Sequence, residues 1–187
     1  MPFTLLPSLI PDLRHLQPKV YGDERGFFFE SYSRRDFAAL GIDHDWVQDN
    51  HSRSQRGVLR GLHFQAGGTS QDKLVRCTAG RVWDVVVDLR RSSPTFGRSA
   101  GFELSAANKQ LLYVPKGFAH GFLALEDGTE FLYKCSDFYD PASEGGLAWD
   151  DPALAIAWPL DGLAPQLSER DRRWPRLAEL PAGGPFA

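Results

Sequence analysis

Cysteine is scarce: Cys77 and Cys135 are the only two among 187 residues, each inside an apolar stretch and without C-x-x-C spacing. That argues against a disulfide framework or a thiolate zinc site and suits a reducing cytoplasm. An excess of positive charge is lacking too. Lys and Arg total 21 against 24 Asp and Glu, a net charge of -3, so there is no broad cationic field to hold a nucleic-acid backbone. Nor does any apolar run approach the ~20 residues that a membrane-spanning helix requires. The opening MPFTLLPSLIPDL carries three prolines, an acid and no early Lys or Arg, so it is not read as a signal peptide. Helix signals are few, and no internal repeat or low-complexity tract is present.

What remains is strand. The length suits one domain, 1–187, with a strand-rich core over residues 19–140 and a C-terminal extension over 141–187. RVWDVVVDL alternates, with Trp83, Val85, Val87 and Leu89 on one face and Val82, Asp84, Val86 and Asp88 on the other. Those acids either face solvent or, if the Trp83 face packs on another layer, point inward. KLVRCTA precedes this strand through Gly80, which predicts a tight hairpin or bulged turn. GFFFESY, GVLRGLHFQ, SAGFEL, QLLYVP, GFLALE and TEFLYKCSD are read as further strands, and so many short strands predict a sandwich or jelly-roll barrel. SRRDFAALG predicts a short helix from Ser33 to a stop at Gly41, SERDRRWPRLAEL one or two turns, and PAGGPFA a loosely ordered tail.

Two histidines pose a choice between metal and base. His63 lies in LHFQ, and His120 completes P-x-G-x-x-H with Pro115 and Gly117. In a β-barrel this suggests the cupin jelly roll, whose metal usually sits on an H-x-H pair, a carboxylate and a later histidine. His63 has no histidine two residues away, and a catalytic metal generally needs three protein ligands. A base is the better reading.

The segments DERGFFFESYS, VQDNHSRSQRGVLRGLHFQ, QDKLVRCTAGRVWDVVVDLRRSSPTFG, PKGFAHGFLAL, FLYKCSDFYDP, EGGLAWDDPALAIAWP and LSERD, in this order and spacing, closely resemble the dTDP-4-dehydrorhamnose 3,5-epimerases. These are metal-free cupins of nucleotide-sugar metabolism. The resemblance implies an all-β cupin jelly roll with a few short peripheral helices, no cofactor, and a 6-deoxy-4-keto sugar on dTDP as substrate. The ketone acidifies both neighbouring C–H bonds, and a histidine, ordinarily near pKa 6.5, suits their removal. His63 fits that base. By the same resemblance Asp171 orients it, Tyr133 reprotonates the far face, and Lys73 meets the enolate oxygen. Arg25, Arg60 and Arg170 are the implied phosphate and nucleotide contacts, with Glu30, Gln48, Asn50, His120 and Glu144 lining the pockets and Phe27 stacking on thymine. Where the family commonly has S-E-K-D, this chain has Ser168, Glu169, Arg170 and Asp171. The family also implies a cytoplasmic homodimer in which an N-terminal strand crosses to the partner.

Plainer readings stand beside these. Ser168 and Asp171 form an S-x-x-D cap pattern, His120 suits a satisfied core histidine, and Tyr133 suits core packing. Asp84 is expected to support the site from behind if its face turns inward. Strict alternation puts Arg60 and His63 on opposite faces, and a bulge at Gly61 would reconcile them. Inversion is expected at both C3 and C5. The rivals are a single-centre epimerase, a metal-dependent cupin oxygenase and a non-catalytic nucleotide-sugar binding module.

Overall fold

Side-chain alternation sorts most of the chain into two stacked sheets. The structure, a computed structural model, describes residues 2–186. Its strands are β1 (Phe3–Leu6), β2 (Arg14–Pro18), β3 (Tyr21–Asp23), β4 (Gly26–Phe28), β5 (Gln48–Ser54), β6 (Leu59–Gln65), β7 (Lys73–Ala79), β8 (Arg81–Asp88), β9 (Ser99–Ser105), β10 (Leu111–Val114), β11 (Phe118–Ala124), β12 (Thr129–Cys135) and β13 (Glu144–Gly146). A six-stranded sheet runs β1-β2-β10-β7-β12-β5 and a five-stranded sheet β13-β6-β11-β8-β9, while β3 and β4 form a separate hairpin. This is the expected all-β jelly roll. Its short helix α1 (Arg34–Ala38) is capped by Ser33, whose side chain accepts from the Asp36 N–H, and the chain turns away at Gly41, φ 81°. No helix among the described residues is long and apolar enough to cross a membrane.

The alternation along β8 decides what lies inside. Val82 and Val86 join Val75, Phe102, Phe122 and Phe131 in the core between the sheets. Phe131 is 1% exposed, and burying such a side chain contributes about 1.5–3 kcal/mol. Val85 and Val87 face the other way, against Leu147, Leu154, Leu177 and Phe186 of the C-terminal extension. Asp84, sharing the Val82 face, is therefore fully buried on the inner side.

Four expectations need correction. Gly80 makes no hairpin, because β7 and β8 belong to different sheets; with φ 68° it carries the chain around a corner so close to Thr129 that a Cβ would meet the Thr129 hydroxyl. The strand in GFFFESY stops at Phe28, and Phe27 and Phe28 are exposed, so aromatic content there does not report a core. Strand pairing begins before Lys19, since β1 pairs with β2 and β2 with β10. The tail is held, because Phe186 packs edge-on against Phe64 at 5.5 Å. Beyond LSERD the chain makes turns and one 3-10 turn, Leu177–Glu179.

Candidate active site

Polar side chains from both sheets and the C-terminal extension converge on one cavity of about 370 Å³. On the six-stranded side, β5 points Gln48, Asn50 and Ser52 into it by alternation. Tyr133 of β12 lies opposite Asn50, and Lys73 of β7 opposite Cys135. On the five-stranded side, His120 of β11 lies opposite His63 of β6, with Glu144 on β13 beyond. Ser168, Arg170 and Asp171 close the rim.

A bulge brings Arg60 and His63 to the same side. The two-residue step from His120 to Phe122 on β11 spans three residues, His63 to Arg60, on β6. The extra residue falls where Gly61 has φ 130°, and both side chains line the cavity. A Cβ on Gly61 would lie 2.6 Å from the Gly121 Cα, so the strands approach here as glycine against glycine.

His63 Nε2 sits 2.5 Å from Asp171 Oδ1, with the histidine side chain 23% exposed and the carboxylate 4%. The Asp171 backbone N–H donates to Ser168 Oγ at 3.1 Å, so the cap and the dyad are one structure. The Trp174 indole N–H donates to the same Oδ1 at 3.3 Å. Burial alone would push the Asp171 carboxyl up, but hydrogen bonds and charge from His63, with Ser168 and Trp174, hold it below the usual carboxylate range. With Nε2 engaged, Nδ1 is the nitrogen left to take a proton.

His120 reconciles its two readings: it is buried and stacks on Phe131, yet it lines the cavity. Its Nε2 contacts both Asp84 oxygens, at 3.1 and 2.9 Å, which places the acid directly behind it. Tyr133 packs against the core and also lines the cavity. Burial, with Cys135 next, pushes its phenol up, so it stays a proton donor across the neutral range. Burial pulls the Lys73 ammonium down, against neighbouring Cys135, Asp84 and Glu144. Among the described residues no carboxylate pairs with it.

The cavity's arginines are anchored unequally. Arg60 donates to Ser54 Oγ at 3.1 Å and the Arg53 carbonyl at 3.3 Å, leaving part of its guanidinium available. Arg170 donates to Glu144 Oε2 at 2.5 Å, and Tyr139 Oη donates to that same oxygen at 3.2 Å. Gln48 accepts from the Tyr139 N–H and donates to Asn50 Oδ1. Arg25, Phe27 and Glu30 are not brought to the cavity: Arg25 pairs with Asp23 on the exposed hairpin, and Phe27 lies under Lys109. Ser52, Gln65, Gln71 and Tyr139 line the cavity although sequence motifs did not single them out. The period-two run Gln48, Asn50, Ser52 was the available signal for Ser52. No group of three or more His, Cys, Asp or Glu side chains able to hold a metal occurs among the described residues.

Comparison with known proteins bears on this geometry. The family model described as dTDP-4-dehydrorhamnose 3,5-epimerase matches residues 7–179. The chain is 56% identical over 171 residues to the dTDP-4-dehydrorhamnose 3,5-epimerase of Pseudomonas aeruginosa, covering 91% of this chain and 93% of that one. To the enzyme of the same name from Salmonella typhimurium it is 53% identical over 174 residues, covering 92% and 94%. The crystal structure of a Legionella pneumophila dTDP-6-deoxy-D-glucose-3,5-epimerase in complex with dTDP-4-keto-L-rhamnose superposes with a TM-score of 0.94 at 48% identity, covering 99% of this chain and 98% of that one.

Proposed function

This chain belongs to the dTDP-4-dehydrorhamnose 3,5-epimerase family, and from that premise we propose that His63 is the base, and Tyr133 the acid, of a double epimerisation. The enzyme inverts C3 and C5 of dTDP-4-dehydro-6-deoxy-D-glucose to give dTDP-4-dehydro-L-rhamnose, a step of dTDP-L-rhamnose biosynthesis. The carrying observation is the His63–Asp171 pair at 2.5 Å, sharing one cavity with Tyr133 and Lys73.

The C4 ketone acidifies the C3 and C5 hydrogens. His63 Nδ1 takes one as the C–H electron pair moves into an enolate, and Asp171 stabilises the imidazolium. Lys73, which no carboxylate among the described residues pairs with, meets the enolate oxygen. Tyr133 gives its proton to the opposite face of the carbon, which inverts the centre. Solvent takes the proton from His63 and returns one to Tyr133, and turning the second C–H toward the neutral His63 then repeats the sequence.

Arg60 and Arg170 meet the diphosphate, and Gln48, Asn50, His120 and Glu144 hold sugar and base. The chain acts as one domain whose C-terminal extension supplies Asp171, and a reducing cytoplasm suits its two free thiols. The working form is a homodimer. An N-terminal strand crosses to the partner in this reading, and the exposed β3–β4 hairpin, carrying Arg25 and Phe27 away from the cavity of their own chain, is compatible with such an exchange.

Turnover in deuterated water tests this reading. Label at both C3 and C5 of an L-configured product is expected; sustained label at one carbon would assign the chain to single-centre epimerases.

A further inference from the structure

The base pair has a third member that no catalytic motif announces. Trp174 lies three residues beyond Asp171, with its indole N–H on the same carboxylate oxygen that holds His63. Its ring meets the imidazole edge-on, centroids 6.0 Å apart at 71°. Two further features fix it there. Gly146, opposite His63 in the β13–β6 register, leaves space for the indole: a Cβ at that glycine would lie 2.4 Å from Trp174 Cδ2 and 2.5 Å from Cε2. The Ala148 N–H donates to the Pro175 carbonyl at 2.8 Å, pinning the backbone just after the ring.

We propose that Trp174 is a positioning residue for the epimerisation, holding Asp171 Oδ1 in line with His63 and limiting how strongly that carboxylate draws the proton His63 collects. The inference rests on His63 being the base. Oδ1 accepts two hydrogen bonds, and the share of its charge committed to the indole is unavailable to the imidazolium. Asp171 therefore remains a carboxylate when His63 is protonated, and His63 gives the proton up again for the second inversion. The low-lying Asp171 carboxyl agrees with this arrangement.

The other charged or titratable groups around His63 are Arg60 on its own strand, His120 on β11, Glu144 on β13, Lys73 and Tyr133 across the cavity, Tyr139 beyond β12, and Arg170 on the C-terminal turn. Trp174→Phe alters none of them. It keeps a smaller aromatic ring at this position and removes the N–H donor together with part of the indole's bulk. With the indole donor gone, more carboxylate charge falls on the imidazolium, so the protonated pair persists to higher pH.

The experiment measures kcat and KM across pH for wild type, Trp174→Phe and Gly146→Ala, with His63→Ala alongside. Trp174→Phe is expected to lower kcat roughly 3- to 10-fold, the scale of one hydrogen bond. KM should hold within about 2-fold, since a contact to the carboxylate behind the base is not a substrate contact. The acid limb of kcat/KM should move upward by about half a pH unit. Gly146→Ala, which displaces the indole, should move the limb the same way. A Trp174→Phe enzyme with an unmoved limb and wild-type kcat, or with a raised KM alone, overturns the proposal. If His63→Ala is inactive in that case, the base reading survives and only the role of Trp174 falls; if His63→Ala turns over, both fall.

Discussion

On the side of the cavity built by β6 and the C-terminal turn, the proposed base is held by its own chain: His63 on Asp171, and Asp171 on Ser168 and Trp174. On the facing side, built by β7 and β12, Lys73 and Tyr133 make no side-chain hydrogen bond among the described residues, although burial shifts both groups. The first arrangement fixes ring orientation and tautomer. The second leaves Lys73 and Tyr133 half-buried, with both side chains lining the open cavity. Both are therefore placed to meet a bound sugar, where the proposed mechanism needs a partner for an enolate oxygen and a proton for the neighbouring carbon. On the proposed assignment, an engaged base and an open acid side divide the two half-reactions between the two sides of the cavity.

That division can be broken from either side. The largest effect is expected for His63→Ala, a turnover loss of about 10²–10⁴-fold with dTDP affinity preserved by calorimetry. A well-folded variant with near wild-type turnover would remove His63 as the base. Asp171→Asn should lose turnover in the same direction through an unsuitable tautomer and a weakened imidazolium, again without changing nucleotide binding; if it loses nothing, the engaged side has no special standing. A smaller effect, on binding alone, is expected for a β6 residue that takes no part in proton transfer. Arg60→Ala should weaken dTDP binding by about 1.5–3 kcal/mol, the range of a charge-assisted hydrogen bond, with the pH profile unmoved. Unchanged affinity by calorimetry would mean that Arg60 points elsewhere.

The sequence revealed the two sides unequally. Alternation in β8 put Asp84 on one face with Val82 and Val86, opposite Trp83, Val85, Val87 and Leu89, but left open which face turned inward until the second layer packed on the Trp83 side. The bulge at Gly61 was legible because Arg60 and His63 could share a site only if one residue fell out of register. β5 was missed for a physical reason: QDNHSRS has no apolar face, since its inward residues line a polar cavity and its outward ones are solvated. β13, Glu144–Gly146, is two-thirds glycine, and those glycines serve close packing by Phe64 and Trp174 that no local pattern records. GFFFESY misled in the opposite sense, with aromatics displayed on an exposed hairpin. Asp171 was reached through the likeness of LSERD to a family motif, whereas Trp174 belongs to no such motif and became visible only once the turn was folded against His63.

The division of labour is tested most directly by Tyr133→Phe in deuterated water, with NMR following C3 and C5 of the sugar. If His63 removes protons and Tyr133 returns them to the far face, this variant still opens the C–H bonds, but the deuteron comes back from the His63 side. Recovered starting sugar should then carry label with its configuration retained, while inverted product forms at least about 10-fold more slowly than with wild type. Inversion of both centres at the wild-type rate, or a recovered sugar free of label, would contradict the assignment of base and acid to opposite sides of the cavity.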